Sequence, residues 1–338
     1  MNNFDYARAT TLQDAIQRSQ DGSTQYIAGG TELLNWMRLG ISEPARLVDI
    51  GFVSDHREIK REGNELVIGA LATLNEVGEN ALVNQHAGAL AQACLKAASA
   101  QIRNRATLGG NVLQKTRCAY FRSEAPLPWG CNKRVPGSGC AALEGLNERH
   151  AIFGWTDACV AVHPSDPLVA LACLDATVQL MGPQGPRTLE VRSLHLTQEE
   201  ARAERSRAPE AQRESRLRPQ ELIAAYRIPI ADGERSAYIK VRERDSYEYA
   251  LISAAASLQI KDGKVARTRI ALGSVAQRPW RLLAAEQALI GSTPDKQAVL
   301  AAIRTALGDA KPLEHNRYKI TMAANAATRA VLTAGGVA

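Results

Sequence analysis

Aromatic residues make up only 5% of this 338-residue chain. That leaves little for a base-stacking surface of the kind single-stranded nucleic acids use. No window approaches ~18 uninterrupted apolar residues, the length a membrane-spanning helix needs, so no membrane insertion is expected. The opening residues Met1-Asn2-Asn3-Phe4-Asp5-Tyr6 have neither a basic nor an apolar signal region; export would have to happen attached to a partner. No C-x2-C pair occurs among the six cysteines, so the usual zinc-site spacing is missing. The net charge is +6, from 41 basic and 35 acidic residues. Because the two signs are interleaved, a nucleic-acid partner is not expected. Nothing suggests a Ser-His-Asp or Cys-His nucleophile, and His150, His195 and His315 read as surface residues.

What is present is ordinary for a globular chain: 45% hydrophobic and 22% charged. The length exceeds the usual ~100–200 residues per domain, which points to two or three domains. Leu12 to Gln20 reads as an amphipathic helix. Tyr26-Ile27-Ala28 reads as a strand, Glu32 to Leu39 as a helix with Gly40 as its stop, and Leu47 to Ile50 as a second strand. Glu65–Ala70 reads as a strand and Ala87–Ala100 as a helix. Residues 115–158 lack periodicity and hold several Pro and Gly; a loop this long in a compact domain is usually functional or disordered. Strand patterns return at 159–162, 177–181, 188–191 and 222–228. The Arg- and Glu-rich stretch 197–218 reads as a solvated insert with no assigned role. From Ala237 the pattern is an antiparallel sheet with an Asp262-Gly263 hairpin turn. Helices at 281–290, 295–307 and 319–333 follow, an α+β arrangement.

Five constellations carry chemistry. In Ala28-Gly29-Gly30-Thr31-Glu32, a glycine pair between strand and helix lets a ligand approach the main chain, and the N–H groups suit a phosphate. Thr31 would cap the helix or donate to the same anion. A tight structural turn explains the motif equally well. Ala106-Thr107-Leu108-Gly109-Gly110-Asn111 is a second glycine pair; two such loops closing on one extended polyanion, or two unrelated turns, both fit. Cys118, Cys131 and Cys140 are spread singly through the irregular stretch and Cys159 stands at its end. They suit an iron–sulfur cluster better than zinc, with Arg117, Arg122, Lys133 and Arg134 available to offset charge; free thiols or disulfides are the alternative. Cys94 and Cys173 read as core. Ser165 and Asp166 stand after an apolar run, able to bind ribose hydroxyls or to cap the next helix. An alternating pattern would point Lys240 to the opposite side from Ile239 and Val241, either as a surface lysine, the default, or as a positive charge held near a cofactor.

Taken in order, Tyr26-Ile27-Ala28-Gly29-Gly30-Thr31-Glu32-Leu33, Ala106 to Asn111, Pro164-Ser165-Asp166 and Ala271 to Ala276 with Pro279 resemble the FAD-binding subunit of the xanthine dehydrogenase (molybdenum hydroxylase) family. The resemblance spans nearly the whole chain. Arg117-Cys118-Ala119-Tyr120-Phe121 and the cysteine-rich insert further resemble the FAD subunits of periplasmic aldehyde oxidoreductases, whose insert carries a [4Fe–4S] cluster.

The resemblance implies an α+β protein. A two-lobed FAD domain of the vanillyl-alcohol-oxidase (PCMH) type would occupy 1–60 and 61–230, with the insert at 115–160. A C-terminal domain like that of the carbon monoxide dehydrogenase flavoprotein would occupy 231–338. Residues Tyr26, Ile27, Ala28, Gly29, Gly30, Thr31 and Glu32 would bind FAD, with the pyrophosphate on backbone N–H groups, and Ala106, Thr107, Gly110 and Asn111 would form the second loop. Asp166 with Ser165 would serve the ribityl or adenine side, Ile223 would pack on the isoalloxazine, and Lys240 would lie near the flavin ring. Cys118, Cys131, Cys140 and Cys159 would ligate the cluster. The implied function is an electron-transfer subunit of a molybdenum-dependent aldehyde oxidoreductase. Its partners would be a large subunit with the molybdenum cofactor, a small subunit with two [2Fe–2S] clusters and an external electron acceptor. The resemblance favours the periplasm, by export with a signal-bearing partner; the missing signal favours the cytoplasm. The alternative function is a self-sufficient flavin oxidoreductase with a zinc or disulfide insert.

Overall fold

The computed structural model describes residues 1–19, 22–204 and 208–337. Gln20, which ends the first expected helix, and residues 205–207 of the Arg-rich stretch lie outside the described residues.

Strands β1 (Asp5–Arg8), β2 (Thr24–Ile27) and β3 (Arg46–Asp49) form a parallel sheet in the order β1-β3-β2. Parallel neighbours need crossover connections, and the helices Leu12–Arg18 and Leu33–Arg38 supply them. Thr11 opens the first by accepting from the Asp14 N–H. Gly40, at φ +64°, closes the second.

The second sheet combines distant segments. Strands β4 (Ile59–Glu62), β5 (Glu65–Gly69), β6 (Thr177–Gly182), β7 (Gly185–Glu190) and β8 (Leu222–Pro229) pair antiparallel in the order β4-β5-β8-β6-β7. Five short helices lie between Leu74 and Val112. The helix expected over 87–100 stops at Lys96 because Ala98 takes φ 46°, and Ser99 caps a new one. Leu66, Ile68, Leu90, Leu108 and Tyr226 fill the core with the buried helix Asp166–Cys173.

The third sheet is antiparallel: β9 (Glu234–Val241), β10 (Ile252–Lys261), β11 (Lys264–Gly273) and β12 (Trp280–Arg281), in the order β12-β11-β10-β9. Asp262 and Gly263, at φ 51° and 73°, make the hairpin turn. Ile239 and Val241 pack toward the helix Tyr318–Gly335, whereas Tyr238 enters the core beside the helix Asp166–Cys173. The two-residue period of β9 therefore points Lys240, like Tyr238, toward the second lobe.

Three sequence expectations change here. The run 159–162 is not a strand; it makes only a single bridge, Thr156 to Cys159. The stretch 197–218 is not a solvated insert: it folds into a capped helix, Gln198–Ala203, buries Thr197, Gln198 and Ala211, and packs Glu214 against Lys133. Its charges are paired partly within the stretch, as Arg213 and Arg216 with Glu204, and partly with distant residues, as Glu214 with Lys133 and Lys115. His150 and His195 are buried, at 6% and 4% exposure, rather than on the surface.

Lys319 is wholly buried and donates to the carbonyls of His150 (2.8 Å) and Ser274 (2.6 Å). Burial, aided by Arg149, pushes its ammonium down to about 7 from an ordinary 10.5. Between those values the unfolded chain binds the extra proton, so this group makes stability rise as pH increases from about 7 toward 10. Denaturant unfolding at pH 7 and pH 9.5 should show wild type gaining on Lys319→Met across that interval. Parallel pH profiles for the two proteins would contradict the assignment.

Candidate functional site: a nucleotide cleft beside a cysteine cavity

The turn after β2 and the turn into the helix Leu108–Val112 face each other. They meet so closely that a Cβ on Gly29 would lie 1.9 Å from the Arg105 carbonyl oxygen. Gly30 takes φ +73°, which turns successive amides toward one side. Among the described residues, none accepts from the N–H groups of Gly29, Gly30, Thr31, Glu32 or Thr107. Gly29 to Glu32 are half-buried, and a concave row of unpaired N–H groups suits an anionic ligand. The Gly110 N–H is taken by Thr107 Oγ1 at 3.1 Å, which fixes the second loop. Thr31 does not cap the helix, since Glu32 is its N-cap residue.

These loops line a cleft of ≈ 710 Å³. Of the residues expected at a cofactor, Tyr26, Ile27, Ala28, Gly29, Gly30, Thr31, Glu32, Ala106, Thr107, Gly110, Asn111, Asp166 and Ile223 all border it. Ser165 and Lys240 stand one layer behind. Ser165 Oγ donates to Asn111 Oδ1 (2.7 Å) and accepts the Leu168 N–H (3.2 Å), so it is a helix cap that also orients the second loop. Lys240 Nζ sits 2.8 Å from Asp166 Oδ2, and Tyr238 donates to Asp166 Oδ1 at 2.5 Å. The two charged side chains are 1% and 6% exposed, so Lys240 acts on the cleft through Asp166.

Trp36, Arg117, Tyr247 and Tyr249 also line the cleft, none of them expected there from the sequence. Arg117 lies 4.6 Å over the Tyr249 ring, and its buried Nε has no hydrogen-bond partner among the described residues. Two tyrosines spaced two apart in an otherwise polar loop, within a chain poor in aromatics, were the available signal.

The irregular stretch 115–158 contains no helix and no strand beyond single bridges. Asn side chains replace a backbone ladder. Asn132 Oδ1 accepts the Gly137 and Gly139 N–H groups, and Asn147 Oδ1 accepts the His315 N–H. The stretch brings Cys118, Cys131, Cys140 and Cys159 around one small cavity of ≈ 20 Å³ together with His150 and Lys133. All four are free thiols, with Cys131 and Cys140 on facing bridge positions. Burial pushes the Cys118 thiol up to about 12 and Cys159 up to about 11. His150 Nε2 lies 3.2 Å from Cys118 Sγ. Among the described residues no group of three or more His, Cys, Asp or Glu is placed to hold a metal ion. A single zinc ion needs ligands ~2.0–2.3 Å from one point; a cluster takes one thiolate per iron and a wider ring. Among the described residues the four thiols thus form no single-ion site, and the cavity would have to widen to admit a cluster.

Of the basic residues expected to balance a cluster, only Lys133 borders the cavity. It bonds the Ala211 carbonyl (2.8 Å) and Glu214 (2.9 Å). Burial opposes ionisation of Glu214, but Lys133 and Lys115 outweigh it and hold this carboxyl well below its usual range. Arg117 and Arg122 turn instead to Glu32, and Arg134 to backbone carbonyls.

Comparison with known proteins agrees with this arrangement. Residues 2–231 match the family described as the FAD binding domain in molybdopterin dehydrogenase, and residues 237–334 match the carbon monoxide dehydrogenase flavoprotein C-terminal domain. The chain is 40% identical to the aldehyde oxidoreductase FAD-binding subunit PaoB of Escherichia coli, over 96% of this chain and 95% of that one. It is 26% identical to the carbon monoxide dehydrogenase medium chain of Hydrogenophaga pseudoflava, over 97% and 96%. A solved carbon monoxide dehydrogenase from the same organism, lacking the Mo-pyranopterin moiety, superimposes with a TM-score of 0.74 at 25% identity, covering 99% of this chain and 98% of that one. A cleft lined by unpaired amides, on this fold and with these relatives, makes the chain a member of the FAD-binding medium-subunit family of the xanthine and carbon monoxide dehydrogenases.

Proposed function

We propose that this chain is the FAD-carrying electron-transfer subunit of a molybdenum-dependent aldehyde oxidoreductase. The observation that carries the reading is the row of unpaired N–H groups from Gly29 to Glu32 facing Thr107 across the cleft. These amides hold the pyrophosphate, where fixed dipoles replace the water around two negative charges. Asp166, held by Lys240 and Tyr238, accepts from hydroxyls of the ribityl or adenosine part. Ile223 supplies an apolar wall for the ring system. When bound, FAD supplies one- and two-electron redox chemistry that no side chain here has.

The aldehyde assignment is supported by the 40% identity to a subunit of that name over almost both full lengths. The organic substrate is handled by a large molybdenum-cofactor partner, a small partner carries two [2Fe–2S] clusters, and an external acceptor removes the electrons. The medium-chain designation of the carbon monoxide dehydrogenase relatives supports such an assembly. Cys118, Cys131, Cys140 and Cys159 hold a [4Fe–4S] cluster; their convergence on one cavity as free thiols supports this.

Purification of the whole assembly with flavin, iron and molybdenum analysis tests the proposal. One FAD and about four irons on this chain are expected beyond those of the small partner. Cys131→Ser should lose that iron while keeping part of its FAD. Iron content equal to wild type would remove Cys131 from the ligand set.

A further inference from the structure

The cysteine insert grips both ends of the helix Leu33–Arg38, the helix that follows the first glycine loop. At its N-terminus, Glu32 accepts from Arg117 Nη2 (2.8 Å), from Arg122 and from the Lys115 N–H (3.2 Å), all insert residues. Trp36 Nε1 of the helix itself adds a bond at 2.7 Å. The Glu32 carboxylate is only 14% exposed, so these are desolvated, charge-assisted bonds rather than surface pairs. At the C-terminus, Arg134 donates to the carbonyls of Leu39 (3.1 Å) and Gly40 (3.2 Å). The same guanidinium donates to Phe121 (2.9 Å) and Ser123 (3.0 Å) within the insert. Arg134 therefore ties the helix end to the segment of insert that begins at Cys118, and it stands three residues from Cys131.

None of this is needed to make the phosphate turn itself. Gly29 to Glu32 could present their amides on β2 and the helix alone. The geometry points to a second role for the insert, as a brace that fixes the glycine loop, so that closure of the cysteine cavity and binding of FAD favour each other. The coupling follows from position. A shift of Cys118 moves Arg117 and Arg122, which hold Glu32, the last residue of the amide row. A shift of Cys131 moves Arg134, which holds the far end of the helix. By linkage, whatever tightens one site must tighten the other by the same factor. This inference rests on the pyrophosphate lying at Gly29 to Glu32, as proposed above.

The test uses the full chain, freed of flavin and titrated with FAD, with hydrogen exchange followed in the same samples. Arg134→Ala is expected to weaken FAD binding about tenfold, although Arg134 does not border the cleft. In wild type, FAD is expected to slow exchange in residues 130–141, away from the cleft, as well as at 29–32. An FAD affinity within twofold of wild type in a folded Arg134→Ala variant would overturn the brace. So would exchange at 130–141 that is indifferent to FAD, and this second result needs no variant. Failure of the underlying reading looks different: FAD would then protect amides other than 29–32. Absence of iron would defeat the cluster assignment alone, because the brace is made of Arg and Glu.

Discussion

Gly29→Ala should leave the chain folded in its C-terminal half and nearly empty of flavin. The added Cβ would sit 1.9 Å from the Arg105 oxygen and 2.7 Å from its carbonyl carbon. Both are backbone atoms, so no rotamer change relieves the overlap. The two loops must part by more than an ångström, and the amides of the first loop then no longer face Thr107. Overpacking of this kind costs at the upper end of ~1–3 kcal/mol. Placed on the ligand, that is about 100-fold in affinity. Gly30 makes a useful contrast. Its nearest clash is the Leu34 side chain at 3.3 Å, which can yield, and its constraint is the positive φ. Flavin titration of deflavinated wild type, Gly29→Ala and Gly30→Ala checks both. Equal losses in the two variants would mean that backbone conformation, not contact between the loops, controls the site.

Lys240→Met should be the most destabilising single change near the cleft. It leaves the Asp166 carboxylate buried with one neutral donor, the Tyr238 hydroxyl. Removing one partner of a buried ion pair typically costs ~3–5 kcal/mol, whereas replacing both can be close to neutral. The double variant Asp166→Asn with Lys240→Met should therefore recover most of the lost stability. It should not recover flavin affinity, because Asp166 is the member that borders the cleft. Denaturant midpoints for the single and double variants, with FAD titrations alongside, separate the two effects. A double variant no more stable than Lys240→Met would show that the pair does not control local stability.

How much of this was legible in the sequence depends on how far each interaction reaches. The two glycine pairs were legible because a close backbone approach can be made by few residue types. The side of β9 that carries Lys240 was legible from strand alternation, which is strictly local. Of the two readings of Ser165 and Asp166, the cap is met by Ser165, while Asp166 borders the cleft with its carboxylate held by Lys240 and Tyr238. Glu32 reads in sequence as part of a nucleotide loop, yet its carboxylate is spent on Arg117 and Arg122, about ninety residues away. The stretch 197–218 looks solvated because composition does not show that its charges pair with one another, as Arg213 and Arg216 with Glu204, or with distant lysines, as Glu214 with Lys133 and Lys115. His150 and His195 fail for the same reason, since their burial is created by segments distant in the chain. Charge composition alone does not distinguish a solvated surface from a neutralised interior.

The central claim is that FAD lies across the amides of two glycine turns. Hydrogen exchange at single-residue resolution, on the deflavinated chain and again with FAD saturating, tests it most directly. Strong new protection is expected at Gly29, Gly30, Thr31, Glu32 and Thr107, whose N–H groups have no partner among the described residues. Gly109, already bonded to the Ala70 carbonyl at 2.8 Å, should change little. Stoichiometric FAD binding without protection at Gly29 to Glu32 would place the pyrophosphate elsewhere.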